Sequence, residues 1–203
     1  PFFFLANTLG FFLLLPVFFL SRTSLPHIPP TVWILIAATG FAQSIYIIGL
    51  ASAYRHGDLS ISYPIARALP VLLVSLLTHL LNTGHPITLQ GWIGMLLIVA
   101  GTLILPLKRL RQFQAAAYLD PSLFFALLAA LGTTGYALLD DAALKILRNT
   151  LSLASWQLAL LYAFFEGLSS FFWLLPWILG SSNHRTQTRQ IIQTRLPQTG
   201  LTG

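Results

Sequence analysis

The sequence predicts an all-α polytopic membrane protein of about six transmembrane helices. Composition is the first ground. Of the 203 residues, 56% are apolar and only 8% are charged, whereas a soluble domain carries about a quarter charged residues. The second ground is that the apolar residues fall in blocks near the length of about 20 residues that a helix needs to cross a bilayer. The third is an internal echo. Phe11–Pro16 reads FFLLLP and Phe171–Pro176 reads FFWLLP, each late in an apolar run. Four further apolar spans separate the copies, so the two cross the membrane in opposite directions. That is the plan of an inverted-topology repeat, used by many secondary transporters. In a chain this rich in Phe and Leu, a chance echo is the alternative.

The spans follow in order. The first covers Phe2–Leu20, and a Pro-rich turn from Ser21 to Pro30 follows it, too rich in proline for a helix. The second is Thr31–Tyr54. Arg55–Asp58 connects it to the third, Leu59–Leu81. Asn82–Pro86 reads as a tight turn by its Gly and Pro content. The fourth is Ile87–Leu107, with Gly91, Gly94 and Gly101 as packing positions. Lys108, Arg109 and Arg111 open a linker that ends at Asp120–Pro121. The fifth is Ser122–Leu139, with Gly132 and Gly135; small residues let helix backbones approach closely in lipid. Asp140, Asp141, Lys145 and Arg148 form a polar connection to the sixth, Leu153–Leu179. From Ser181 to Gly203 the chain is Thr-, Gln- and Arg-rich without an aromatic residue, and such a tail cannot bury enough surface to order itself. A soluble tail and an out-of-frame ending are both open. The chain begins at Pro1 inside an apolar run, so it is expected to start within a larger protein.

Several function classes are excluded or disfavoured. There is no cysteine, hence no disulfide framework and no thiolate metal site. His27, His56, His79, His85 and His184 form no HxxxH pair. Asp140-Asp141 reads as a helix-end polar pair, with no further Asp in reach for a metal. Leu196–Gly200 matches a sortase sorting motif, but lacks the apolar span that must follow it. No metal and no cofactor are expected. The net charge of +6 lies outside the spans and points to topology and anionic lipid rather than nucleic acid. Counting basic residues puts the 55–58 and 108–121 loops in the cytoplasm.

The third span carries the chemistry. Pro64, Pro70 and Arg67 all lie inside it. Each proline removes a backbone donor, and the freed carbonyls need neighbouring helices, water or substrate. Interrupted helices in transporters line the transport cavity. An arginine at the bilayer centre costs about 2.5 kcal/mol or more, so Arg67 is expected to face a cavity or a partner.

These residues also carry a resemblance. Ala51–Ser60 (ASAYRHGDLS), Tyr63–Arg67 (YPIAR) and Pro70–Leu72 (PVL) resemble the EamA family of the drug/metabolite transporter superfamily. Gln90–Gly101 (QGWIGMLLIVAG) is similar to that family's Gly-rich helix. Leu81–Thr88 stands where members carry a Gly-Glu-Arg-Leu-like turn, and those charges are replaced here. The resemblance covers residues 1 to about 180 and is most specific over Ala51–Leu105. It implies ten helices in two inverted repeats of five, of which this chain holds helices two to seven. On that plan 1–107 is the first repeat without its first helix, 108–121 the linker, 122–180 the start of the second repeat and 181–203 the tail. The family topology puts the opposite loops (21–30, 82–86 and 140–152) in the cytoplasm, and this is the orientation adopted.

Among single residues, Arg67 is read as holding an anionic substrate group or a counter-charge; a structural ion pair or snorkelling to the interface is the alternative. Glu166, the only carboxylate deep in a predicted span, is read as a proton-coupling group or a partner of Arg67; a satisfied structural carboxylate is the alternative. Tyr63, Gln43, Tyr46 and Trp92 offer polar handles and stacking faces, with Pro64 and Pro70 shaping the same cavity. The expected function is secondary transport of a small organic metabolite across the inner membrane by alternating access. The expected partners are the lipid bilayer, a small-molecule substrate and a second copy in a homodimer, with no nucleic acid. A membrane-embedded enzyme or a non-transporting scaffold is the alternative; no catalytic constellation supports the enzyme.

Overall fold

The computed structural model describes residues 2–56, 59–84, 86–104 and 121–180; the 108–121 linker, apart from Pro121, and the tail at 181–203 lie outside them. The described residues are predominantly helical and contain no strand. The helices are α1 (Phe2–Leu13), α2 (Leu15–Leu20), α3 (Pro30–His56), α4 (Leu59–Leu80), α5 (Leu89–Ile104), α6 (Pro121–Thr150) and α7 (Ser155–Gly180). Four helical segments are long and apolar enough to cross a membrane: Pro30–His56, Ser62–Leu80, Pro121–Thr150 and Ser155–Gly180. Thr8–Leu20 and Leu89–Thr102 are apolar but shorter, so the described residues supply four spans of full length where six are expected. Large apolar side chains stand exposed on these helices, Leu20, Leu89, Leu97 and Phe124 among them. So many large exposed apolar side chains on long apolar helices suit lipid, not water.

Sequence explains most of the helix ends. Pro30 and Pro121 open α3 and α6, where the missing proline N–H costs nothing and φ is preset. Thr88 caps α5 by accepting the Gly91 N–H (3.2 Å). Gln157 reaches back to the Ala154 N–H at the start of α7 (3.1 Å), one half of a capping box. α4 ends in a Schellman motif. Thr83 N–H donates to the Thr78 carbonyl and Asn82 N–H to His79, with Asn82 left-handed at φ 54°.

Four expectations need correction. The first span is two helices, broken at Leu14. Pro16 has no N–H for the Phe12 carbonyl and crowds it. The Ser21–Pro30 turn is not free of helix, because Arg22–His27 forms a 3₁₀ helix; a run this short needs few backbone donors, so Pro26 is tolerated. α4 runs unbroken through Pro64 and Pro70, so the prolines remove donors from the Ser60 and Ala66 carbonyls without ending the helix. The fifth span does not stop at Leu139, since α6 continues to Thr150. Its acidic pair is split by helix geometry. Asp140 turns inward to hydroxyl partners, while Asp141 pairs outside with Lys145 at 2.7 Å, one turn on.

The chain divides into two compact units. One comprises Pro1–Phe41 and Leu139–Gly203, the other Ala42–Leu138. In the first, Val32 and Ile36 of α3, Ala143 and Leu147 of α6, and Leu158, Leu161 and Phe165 of α7 form a buried core with helical 3–4 spacing. Phe11 and Phe18 close it, their rings 4.9 and 5.1 Å from Phe164. The two echo segments thus lie in adjacent helices, α1/α2 and α7; Pro176 sits inside α7 without breaking it. In the second unit, Gly49 and Gly132 bring α3 and α6 into backbone contact. A Cβ on Gly132 would lie 2.6 Å from the Tyr46 nitrogen. Gly94 and Gly101 of α5 face open space, so of the two glycine-marked spans only the fifth uses its glycines for close helix packing.

Candidate functional site

Two polar groups stand out, one in each unit. The first is built on α4. Tyr63 and Arg67 are one turn apart, so they share a face, and both are exposed. The Arg67 guanidinium lies 5.7 Å from the centre of the Tyr63 ring and 5.9 Å from that of Tyr46 on α3. That is within cation–π range. Tyr46 meets Tyr136 of α6 edge-on at 5.9 Å, and Tyr63 meets Tyr54 of α3 at 6.5 Å. Two tyrosine rings therefore flank the cation, and each packs against a further tyrosine, four in all from three helices. No described carboxylate lies within ion-pair distance of Arg67, and among the described residues the Tyr46 and Tyr63 ring faces are what meets its charge. Ser62, on the buried face of the same helix, is 1% exposed, and among the described residues its hydroxyl is the one buried side-chain atom without a hydrogen-bond partner. The rule elsewhere in these helices is the opposite. Thr78, Thr102 and Thr134 each donate to a carbonyl one turn back, as hydroxyls do in apolar surroundings.

The second group joins α3, α6 and α7 in the other unit. Asp140 Oδ1 accepts from Thr39 Oγ1 at 2.9 Å and from Tyr162 Oη at 2.7 Å. The two hydroxyl oxygens are 3.3 Å apart. Thr39 is fully buried and Tyr162 is 4% exposed. A carboxylate accepting from two hydroxyls is held more firmly than by neutral pairs, because charge roughly doubles such bonds. No described lysine, arginine or histidine pairs with Asp140. Glu166 lies one turn beyond Tyr162 on α7, half-buried.

Of the residues singled out from sequence, Arg67, Tyr63 and Tyr46 come together. Pro64 is half-buried and Pro70 buried on the same helix; Gln43 is half-buried on α3. Trp92 packs edge-on against His79 at 6.0 Å and makes no described ring contact with Arg67. Glu166 belongs to the other unit. Asp140 is a second half-buried carboxylate on a helix of membrane-crossing length. Sequence reasoning missed Tyr54, Tyr136, Thr39 and Tyr162, and it read Asp140 as a helix-end residue. For Tyr54 and Tyr136 the signal is the clustering of Tyr in otherwise aliphatic stretches. Asp140 carries none, because DDAALK is what a helix end also looks like. No group of three or more described His, Asp or Glu side chains has metal-site geometry. Compared with known proteins, the chain matches no family model, no curated protein and no solved structure.

Proposed function

We propose that this chain is part of a multi-pass inner-membrane secondary transporter of the EamA type, moving a small organic metabolite with an anionic group by alternating access. The observation that carries this reading is Arg67. It sits about 12 Å along α4 from Leu59, on a segment of membrane-crossing length. It has no described carboxylate partner and is flanked by two tyrosine faces. A guanidinium in that depth of membrane costs about 2.5–3.5 kcal/mol. A purely structural residue would offset this with a carboxylate, and no described carboxylate is in reach. The five donors of the guanidinium suit a carboxylate or phosphate, and the tyrosine rings suit the apolar body of the same solute. The resemblance over Ala51–Leu105 gives the same reading on other grounds.

The test is uptake into proteoliposomes from a panel of labelled amino acids, dicarboxylates and aromatic acids. Wild type should show saturable uptake of at least one, and Arg67→Ala should lose it by about tenfold or more, the worth of one charged hydrogen bond. Vesicles as tight as protein-free liposomes to the whole panel would sink the proposal. So would saturable uptake untouched in Arg67→Ala.

A further inference from the structure

The transporter reading leaves one polar cluster unused, the Asp140 group. We infer that Asp140 is a reversible proton-binding site, and that its occupancy sets how tightly α3, α6 and α7 are tied together. If the chain is a transporter, which this part of the inference takes from the preceding section, the proton is its coupling ion.

The geometry gives the two carboxylate oxygens different tasks. Oδ1 is fixed by two donors from two other helices, Thr39 of α3 and Tyr162 of α7. Oδ2 accepts from no described residue, and it is not among the buried atoms left without a partner. It is therefore open to a small visitor. A proton arriving from water forms an O–H bond at Oδ2 and leaves the acid neutral; release to water restores the carboxylate. Oδ1 keeps both donors throughout, but as the oxygen of a neutral acid. Hydrogen bonds to an ionised acceptor are roughly twice as strong as neutral ones. Protonation thus loosens the two bonds that join the three helices, without requiring either to break.

The surroundings leave Asp140 as the group that must respond. On α6, Asp141 and Lys145 neutralise each other outside, both more than half exposed. On α7, the facing ionisable groups are Tyr162 itself and Glu166 one turn on. α3 has no ionisable residue within a turn of Thr39, and α1 and α2 have none at all. No described cation holds Asp140 permanently ionised. A carboxyl group half-buried in membrane without a counter-charge is the kind of group that exchanges protons in pumps and transporters. The two hydroxyl donors keep the ionised state accessible as well. A residue locked in one state would lack one of these two features.

The experiment is infrared difference spectroscopy of the purified full chain in detergent, titrated with pH, using ¹³C-labelled aspartate. Wild type should show an aspartic acid C=O band that is lost as pH rises while carboxylate bands grow. Asp140→Asn should lack that band, and Asp141→Asn should keep it. Tyr162→Phe should keep the titration but move the band to higher wavenumber, because one donor to that carbonyl is gone. This shift reads the bond itself and does not depend on Asp140→Asn folding. A wild-type band that is absent, or that persists unchanged across the titration, overturns the inference. So does a titrating band that survives in folded Asp140→Asn, or one that Tyr162→Phe leaves in place. The readout needs no transport. A titrating Asp140 in a protein that moves no solute would support the proton site and count against the transporter; saturable uptake with a silent Asp140 would do the reverse.

Discussion

Replacing Gly132 with alanine sets two effects of similar size against each other, and the structure decides which wins. Alanine is favoured over glycine within a helix by about 0.8–1.0 kcal/mol. Against this, a Cβ at Gly132 would lie 2.6 Å from the Tyr46 nitrogen, 2.8 Å from the Ala42 carbonyl oxygen and 2.9 Å from the Tyr46 Cα. All three are backbone atoms of α3, so no side chain can swing aside. Ordinary carbon contacts are about 3.5–4.0 Å, and α3 must therefore move off α6 by about 1 Å. Overpacking of that kind costs about 1–3 kcal/mol. The balance for Gly132→Ala runs from about zero to a net loss of about 2 kcal/mol, and the backbone position of all three contacts puts it on the side of loss. Gly94→Ala is the matched control. A Cβ there meets nothing within 4 Å, so only the propensity gain remains. Thermal unfolding in detergent, followed by intrinsic fluorescence, should rank Gly94→Ala at or above wild type and Gly132→Ala below it. If Gly132→Ala were as stable as Gly94→Ala, the α3–α6 backbone contact would not be as described.

Two further outcomes follow. Asn82 is left-handed at the C-terminus of α4, so Asn82→Gly should be neutral or stabilising in the same melting assay, while Asn82→Val should lose about 1–2 kcal/mol. Arg67→Lys keeps the charge but not the planar fork, so its uptake in the proteoliposome assay should fall between wild type and Arg67→Ala.

How much of this was legible in the sequence depended on whether the determining contact was local. The helical class followed from composition. The turn at Asn82–Pro86 followed from residues that act within a few positions of themselves. Pro64 and Pro70 showed the limit of such local rules, because a helix in apolar surroundings has no water to offer its backbone and holds together through proline. Asp140 showed the other limit. Nothing in its neighbours reveals that Thr39, some hundred residues earlier, donates to it. Without that partner a helix end is the sensible reading of an acidic pair. With it, α6 gains more than two further turns. Arg67 and Tyr63 were legible as a pair because they are one turn apart on one helix. Tyr46 joined them through tertiary packing, and Tyr54 and Tyr136 came with it.

The proposed function needs Arg67 to face water rather than lipid. The chain has no cysteine, so one introduced thiol can be read without background. Tyr63 is 48% exposed on the Arg67 face of α4, and Ile98 is 55% exposed on α5. Steric access at the two positions is therefore alike. Chemistry is not, because the reactive species is the thiolate, which water stabilises and hydrocarbon does not. In vesicles, Tyr63→Cys should react with a charged, water-soluble maleimide at least about tenfold faster than Ile98→Cys, a difference of about 1.4 kcal/mol in the barrier. An anionic solute that Arg67 binds should slow labelling at residue 63 alone. Equal, slow labelling at both positions would put Arg67 in lipid. The guanidinium would then reach for the interface along the tyrosine faces, and the case for a substrate anion at this site would fall with it.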